Sequence, residues 1–526
     1  MSISEFNRAL RRIPKRAEKQ EDPKLHETFF DSGIAEALDN FDNEILYGRR
    51  GTGKTHALSY LATEKTNSDD LAVFLDLRLI GSPGQITGTQ GDNLTDRAVR
   101  LLIDLLSQLR ESIQDEILNN DVLVDNEKFT QTADRVLSTL TDFSIEGQTE
   151  SESRTSSDKI ASSGANGEIG ITPKPGLRLG GKLTSESQVS SGHVFSQKGV
   201  ERQKINFGSI SKAFRDFADA LDGRRLWIFL DEWSSVPLDL QPYLGEFLLR
   251  CILPLRMFTV KIAAIEQQST FTSSESGSRV GLEIGADIAA TVSLDDYLVY
   301  EGNENRASAF FKNLTFKHLT AESDDGLKAL DLLDPDDVVR SGFRDTRAFD
   351  ELVRAAEGVP RDFLHMAAKC AMDANDKKIS IDNVRNAAKM WYTSDKIKSL
   401  EGQREAIALL NWINDRVIKN KRARAFLVSD SVGNDPLLST LFYARVLHVV
   451  KRGYSAQDQP GQRFNVWSID YGAYVDLIRT KYAPVGVLPI EGLDGAVDYA
   501  DLEVPVQDLR AIRRAVLDLS EFYAKA

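Results

Sequence analysis

Residues Gly48-Arg49-Arg50-Gly51-Thr52-Gly53-Lys54-Thr55 fit G-x-x-x-x-G-K-[ST], the P-loop or Walker A pattern. Glu44-Ile45-Leu46-Tyr47 reads as a short strand entering the motif, and Thr55 to Thr63 as a helix leaving it. A strand, a tight glycine turn and a helix in that order constrain the chain to an α/β fold. The chemistry needs this spacing. Glycines let backbone N–H groups turn inward around a phosphate, and the helix N-terminus adds partial positive charge. Lys54 is expected to reach the β- and γ-phosphates of ATP, and Thr55 to hold Mg²⁺. The expected nucleotide contacts are Gly48, Arg49, Arg50, Gly51, Thr52, Gly53, Lys54, Thr55 and the neighbouring His56.

Downstream, Leu226-Trp227-Ile228-Phe229-Leu230-Asp231-Glu232 reads as a buried strand ending in two acids, the Walker B pattern. Asp231 is expected to hold Mg²⁺ and Glu232 to orient and deprotonate the attacking water. Further apolar runs at 71–76, 260–265 and 289–294 alternate with helical patterns. An amphipathic helix over 93–118, for example, puts Leu94, Ala98, Leu101, Leu102, Leu105, Leu109 and Ile113 on one face. The alternation predicts a parallel sheet with helices on both faces, and its ligand at the carboxyl ends of the strands.

The chain of 526 residues is long enough for two or three domains. A net charge of −14 argues against a protein that coats nucleic acid non-specifically. Cys251 and Cys370 are too few for a disulfide framework and lack zinc-ligand spacing. No apolar run approaches the about 18 residues of a membrane span. A cytoplasmic protein is expected, with no membrane contact.

The expected divisions are a basic arm over 1–24, a nucleotide-binding domain over 25–300 and a helical lid over 301–400. A winged-helix domain over 401–483 and a tail over 484–526 with a short helix near 505–523 follow. In the arm, Arg8, Arg11, Arg12, Lys15, Arg16 and Lys19 suit a solvated, frayed terminus or a phosphate-binding arm, the former being preferred. Residues 146–198 are rich in serine and glycine. Within them, Ile169, Ile171, Leu177, Leu179 and Leu183 alternate as in a β-hairpin. The winged helix is read from two helix faces, Ala406–Val417 and Leu437–Val446, followed by strands near 446–453 and 463–469.

With these motifs in this order, residues 25–480 resemble the AAA+ ATPases, most of all the origin-recognition, replication-initiator branch related to Cdc6. The resemblance implies an ATPase that uses ATP and Mg²⁺ and assembles with copies of itself or a partner protein. It also implies a sensor at Glu266 or Gln267, where the family usually has Asn, Ser or Thr. Arg361, in Gly358-Val359-Pro360-Arg361, matches the lid arginine that touches the γ-phosphate. Arg279, with Arg256 as an alternative, lies in the region that supplies an arginine to a neighbouring subunit. Gly358-Val359-Pro360 is also similar to the G-x-P element of the STAND signalling ATPases, which act as nucleotide-dependent switches. Lys419, Lys421, Arg422, Arg424, Arg445, Lys451, Arg452 and Arg463 cluster on the expected winged helix. They suit phosphate contacts with duplex DNA, although winged helices also dock proteins.

Overall fold

The computed structural model describes residues 2–17, 20, 22–81, 93–140, 144–146, 150–151, 197–198, 202–275, 278–297, 304–321, 330–433, 435–455, 462–478 and 515–524. Five strands make a wholly parallel sheet: β1 (Glu44–Tyr47), β2 (Leu71–Asp76), β3 (Leu226–Asp231), β4 (Phe258–Ala264) and β5 (Ala289–Ser293), in the order β5-β1-β4-β3-β2. β1 and β3 are therefore separated by β4, which leaves room between the P-loop and the Asp-Glu pair. Every residue of β3 and β4 is buried; β3 reads accordingly as an apolar run up to Asp231, while β4 carries a buried Lys261 that pairs with Glu44 (2.7 Å).

Helices flank both faces. In chain order, α1 is Ile3–Arg12, α2 Asp22–Thr28, α3 Lys54–Asn67, α4 Leu94–Leu118, α5 Phe207–Ala220 and α6 Gln241–Cys251. α3 puts Ala57, Leu58 and Leu61 into one core with Leu46, Ala72, Trp227, Phe229 and Ala263. On the opposite face, Phe214 and Phe217 of α5 pack edge-on against Phe258. α4 buries Ala98, Leu101, Leu102, Leu105, Leu109 and Ile113, as its period requires.

The expected lid holds α7 (Glu304–Thr320), α8 (Thr346–Ala356), α9 (Pro360–Ala374) and α10 (Ile381–Trp391). The C-terminal unit runs α11 (Arg404–Asn414), β6 (Ala425–Ser429), α12 (Pro436–Tyr443), β7 (Leu447–Ser455) and β8 (Arg463–Ile469). Its antiparallel sheet has the order β6-β8-β7. A single apolar cluster runs from Phe6 through the lid to Phe522, so the expected boundary at 400/401 crosses a shared core.

Two expectations are corrected. The N-terminus is not frayed over its first turns. α1 begins with a capping box between Ser2 and Glu5. It buries Phe6, Leu10 and Ile13 among lid residues. The apolar residues fall at i, i+4 and i+7, one helix face, and burying that face outweighs the solvation of the basic one. In the tail, the described residues from 515 are only partly helical. Ala515 and Leu517 bracket Leu427 in a parallel bridge, and among the described residues the helix is Ser520–Tyr523; residues 505–514 of the expected helix lie outside the described residues. β6 is an edge strand whose free backbone groups need partners, and the tail supplies them.

A second unit, Phe143–Ile205, is distinct from the rest. Its described residues make two short antiparallel pairings, Ser144–Glu146 with Arg202–Lys204 and Glu150–Ser151 with Gln197–Lys198. The hairpin expected around Ile169–Leu183 lies outside the described residues. Among the described residues no helix is long and apolar enough to cross a membrane.

Candidate functional site

Between β1 and α3 the backbone turns through Gly51 (φ +88°) and Gly53 (φ +101°), a region that side chains disfavour. Gly51 has a second reason to be glycine: a Cβ there would lie 2.8 Å from the Arg361 side chain. At Gly53 a Cβ would meet nothing within 4 Å, so the loop is open above the start of α3. Lys54 opens that helix, and its ammonium donates to the carbonyls of Gly48 (2.7 Å) and Arg49 (3.1 Å). Burial pushes its pKa down, while Glu232 and Asp231 pull it back.

Asp231 ends β3 with 1% exposure and accepts a hydrogen bond from Thr55 Oγ1 at 2.6 Å. Burial raises its carboxyl, and the Thr55 bond opposes that. Glu232 follows in a left-handed conformation (φ 56°, ψ 39°), uncommon for a residue with a side chain and held here by its N–H bonding to Asp231 Oδ1 (2.9 Å). Its carboxylate accepts from Ser235 Oγ (3.4 Å) and lies 4.0 Å from Arg78. Arg78 sits just past β2, gripped by Asp76.

These groups wall a cavity of about 320 Å³. Arg50, Gly51, Gly53, Lys54, Thr55 and His56 form the P-loop wall, and Arg78, Glu232 and Ser235 the acid wall. The lid contributes Leu314, His318, Pro360, Arg361 and Leu364. Pro360 occupies the first turn of α9, where its missing N–H costs nothing. Arg361 beside it donates its backbone N–H to Gly51 O (3.2 Å) and its guanidinium to Arg50 O (3.4 Å). His318 is held neutral, its pKa pushed down to about 3 by burial, then by His56 and Lys15. The His56 imidazole, also lowered by burial, bonds Leu25 O at 2.7 Å.

The residues fit a magnesium nucleotide. One buried carboxylate with one hydroxyl suits Mg²⁺, which takes its remaining ligands from phosphates and water. Among the described residues no three His, Cys, Asp or Glu converge as a protein cage for a metal would require. Thr55 and Asp231 would hold the ion.

Several expected contacts lie elsewhere. Arg49 turns away from the cavity. It is 2% exposed, with Nε on Asp295 (2.7 Å), Nη1 on His448 Nδ1 (2.9 Å) and its guanidinium over the Phe442 ring at 4.4 Å. Gly48 and Thr52 frame the loop without lining the cavity; a Cβ on Gly48 would lie 2.5 Å from Thr52 Oγ1. Glu266 is outside as well, paired with Arg452 of β7 (2.9 Å), and Gln267 accepts from Tyr443 Oη (2.5 Å). β4 stops at Ala264, so these polar residues fall in a turn that faces the C-terminal unit. Arg279 stands on a hairpin, Thr272–Glu275 with Ser278–Gly281, half-exposed and paired with Glu283. Arg78, Ser235, Leu314, His318 and Leu364 were not foreseen. Only Arg78 carried a signal, as a cation at the carboxyl end of a strand.

The C-terminal unit docks on this site. His448 donates from Nε2 to Asp470 (2.9 Å), and Asp470 also holds Lys396. Lys396 reaches Asp362, next to Arg361, at 3.3 Å. Arg445 pairs with Asp362 (2.6 Å) and with Asp395. Arg445 is therefore buried; Arg424 is buried as well, while Lys419, Lys421, Arg422, Lys451 and Arg463 remain on the surface.

Strand order, P-loop and acid pair together define a P-loop α/β protein. Among solved structures, the chain is similar to the Walker-type ATPase PABY2304 of Pyrococcus abyssi, with 12% identity over 89% of this chain and 99% of that one, at a TM-score of 0.38. It is also similar to Cdc6p from Pyrobaculum aerophilum, with 11% identity over 88% of this chain and 94% of that one, at a TM-score of 0.28. Likeness this distant carries no argument about function. No family model matches the chain, and no curated protein does.

Proposed function

We propose that this protein is an AAA+-type ATPase whose nucleotide state governs the docking of a C-terminal winged helix. The carrying observation is the convergence of Lys54, Thr55, Glu232 and Arg361 on one cavity, with Asp231 hydrogen-bonded to Thr55. In this reading Lys54 and the N-terminus of α3 bind the phosphate chain of ATP. Glu232 takes the proton of the attacking water as its oxygen bonds the γ-phosphorus and the bond to the bridging oxygen breaks. Lys54 and Arg361 stabilise the charge that develops on the phosphoryl oxygens. Bound Mg²⁺ would neutralise charge across the β- and γ-phosphates. An arginine from a second copy, Arg279 or Arg256, both of them exposed, would complete the site in an oligomer.

The output is the winged helix. α12, just before the β7–β8 hairpin, is the helix that would enter a major groove. Its Phe442 and Tyr443 instead face Arg49 and Gln267. Engagement of duplex DNA, through Lys419, Lys421, Arg422, Lys451 and Arg463, therefore requires undocking. The second reading, a STAND-like signalling or defence switch acting on a protein partner, is favoured by the burial of Arg424 and Arg445.

The test is ATP hydrolysis by wild-type and Glu232→Gln protein, with and without duplex DNA, at two salt concentrations. Stimulation that fades with salt supports DNA as the output. Hydrolysis indifferent to DNA, with ADP retained through purification, supports the protein-partner switch.

A further inference from the structure

The N-terminal residues are anchored at two places beside the nucleotide cavity. Upstream, α1 belongs to the lid. Phe6 packs on Gly342 so closely that a Cβ there would lie 2.0 Å from its ring, and Asn7 Nδ2 donates to the carbonyls of Asn375 (2.6 Å) and Lys377 (3.0 Å). Downstream, Leu25 of α2 is bonded to His56 of the P-loop helix. Pro14 ends the first helix. From there Pro14, Lys15, Arg16, Ala17 and Gln20 contribute to the cavity wall. Lys15 is half-buried, its ammonium donating to Arg11 O (2.7 Å), and Arg16 is exposed.

The charge balance of the cavity asks for a polyanion. Lys15, Arg16, Arg50, Lys54, Arg78 and Arg361 line it against one lining carboxylate, Glu232. Asp76 offsets Arg78, Asp231 bears on Lys54, and Asp362 and Asp395 on Arg361, so Lys15, Arg16 and Arg50 are the cations in excess. Crowded like charges without a counter-ion are unfavourable, so the arrangement is completed by a ligand that carries several negative charges. Arg16 adds to this crowding: after burial, Arg445, Asp362 and Asp395, its charge also bears on the Arg361 guanidinium.

We propose that residues 14–17 form a strap over the polyphosphate of a bound nucleoside triphosphate, with Lys15 and Arg16 supplying phosphate contacts from outside the P-loop. The proposal rests on nucleotide binding by the P-loop cavity. Because the strap follows directly on α1, which packs in the lid core, these contacts tie the position of the lid to the phosphates.

The test compares wild-type, Lys15→Ser/Arg16→Ser and Lys54→Ala proteins by calorimetric titration with magnesium ATP and with AMP. The double variant keeps Phe6, Leu10 and Ile13, so α1 stays anchored. It should lose about tenfold or more in ATP affinity, the size of one charge-assisted hydrogen bond, with AMP affinity unchanged. In wild-type protein, magnesium ATP should slow tryptic cleavage after Arg16. A double variant that binds ATP like wild type, while Lys54→Ala does not bind it, overturns the strap and leaves the P-loop reading intact. Cleavage at Arg16 at the same rate with and without ATP overturns it too. Wild-type protein that binds no nucleotide overturns both.

Discussion

Arg49, a variable position of the P-loop, and His448, on the first strand of the C-terminal hairpin, are hydrogen-bonded at 2.9 Å with both side chains buried. The P-loop thus also holds the C-terminal unit. The contact continues through Asp470 and Lys396 to Asp362, the neighbour of Arg361. The two ends of this chain of charges, Arg49 and Asp362, each adjoin a residue of the cavity wall.

Arg49→Ala should separate docking from nucleotide binding. Removing the guanidinium leaves Asp295 buried without its partner, a loss of about 3 kcal/mol. The urea midpoint should fall and amide exchange across 436–450 should rise, while ATP affinity stays within a few-fold of wild type. Loss of ATP binding comparable to that of Lys54→Ala would return Arg49 to the phosphate site.

Docking should also be acid-sensitive. Burial, with the Arg49 charge after it, holds the His448 pKa down at about 4, against 6.5 for a free histidine. The bond to Asp470 opposes the shift, and Lys396 adds to it. A base depressed in the folded state contributes stability that is complete above pH 6.5. That stability is lost as pH falls towards 4, because the unfolded chain takes up the proton first. At pH 5 the loss from this histidine is about 2 kcal/mol. His318, pushed to about 3, titrates in the same direction. Melting temperature measured from pH 7.5 to 5 should drop more steeply in wild type than in His448→Asn.

Glu232→Gln should keep ATP and slow its hydrolysis by about 10²–10⁴-fold, the usual worth of a positioned general base. Single-turnover hydrolysis beside equilibrium ATP binding checks this. Normal turnover would remove Glu232 from the reaction.

Phe6→Ala should cost about 3–5 kcal/mol, as for a large aromatic in a closed core. A denaturant titration reads it directly. A cost near zero would mean that α1 is not part of the lid in solution.

The features legible in the chain were local ones. The P-loop and the Asp231–Glu232 pair are short patterns whose neighbours in sequence are also their structural context. β3 announces itself because a strand buried on both faces has no polar alternation, whereas β4 interrupts its apolar residues with Thr259 and Lys261. Features that depend on distant partners stayed hidden. Arg49 occupies a position that any residue can fill, and its destination was set by Asp295 and His448, about 250 and 400 residues away. Arg424 and Arg445 counted as surface charge until the structure buried them, Arg445 against Asp362 and Asp395. In the N-terminal arm, the basic residues drew the eye away from Phe6, Leu10 and Ile13, whose spacing already described a buried helix face. Glu266 carried its expectation on family pattern alone, and the turn after β4 points it to Arg452 instead.

Nucleotide occupancy should control the exposure of the C-terminal unit. Hydrogen–deuterium exchange across residues 436–455 tests this most directly, in nucleotide-free, ADP-bound and, using Glu232→Gln, ATP-bound protein. Protection in ADP with faster exchange in ATP is the predicted result. Identical exchange in all three states, with binding verified in the same samples, would contradict it.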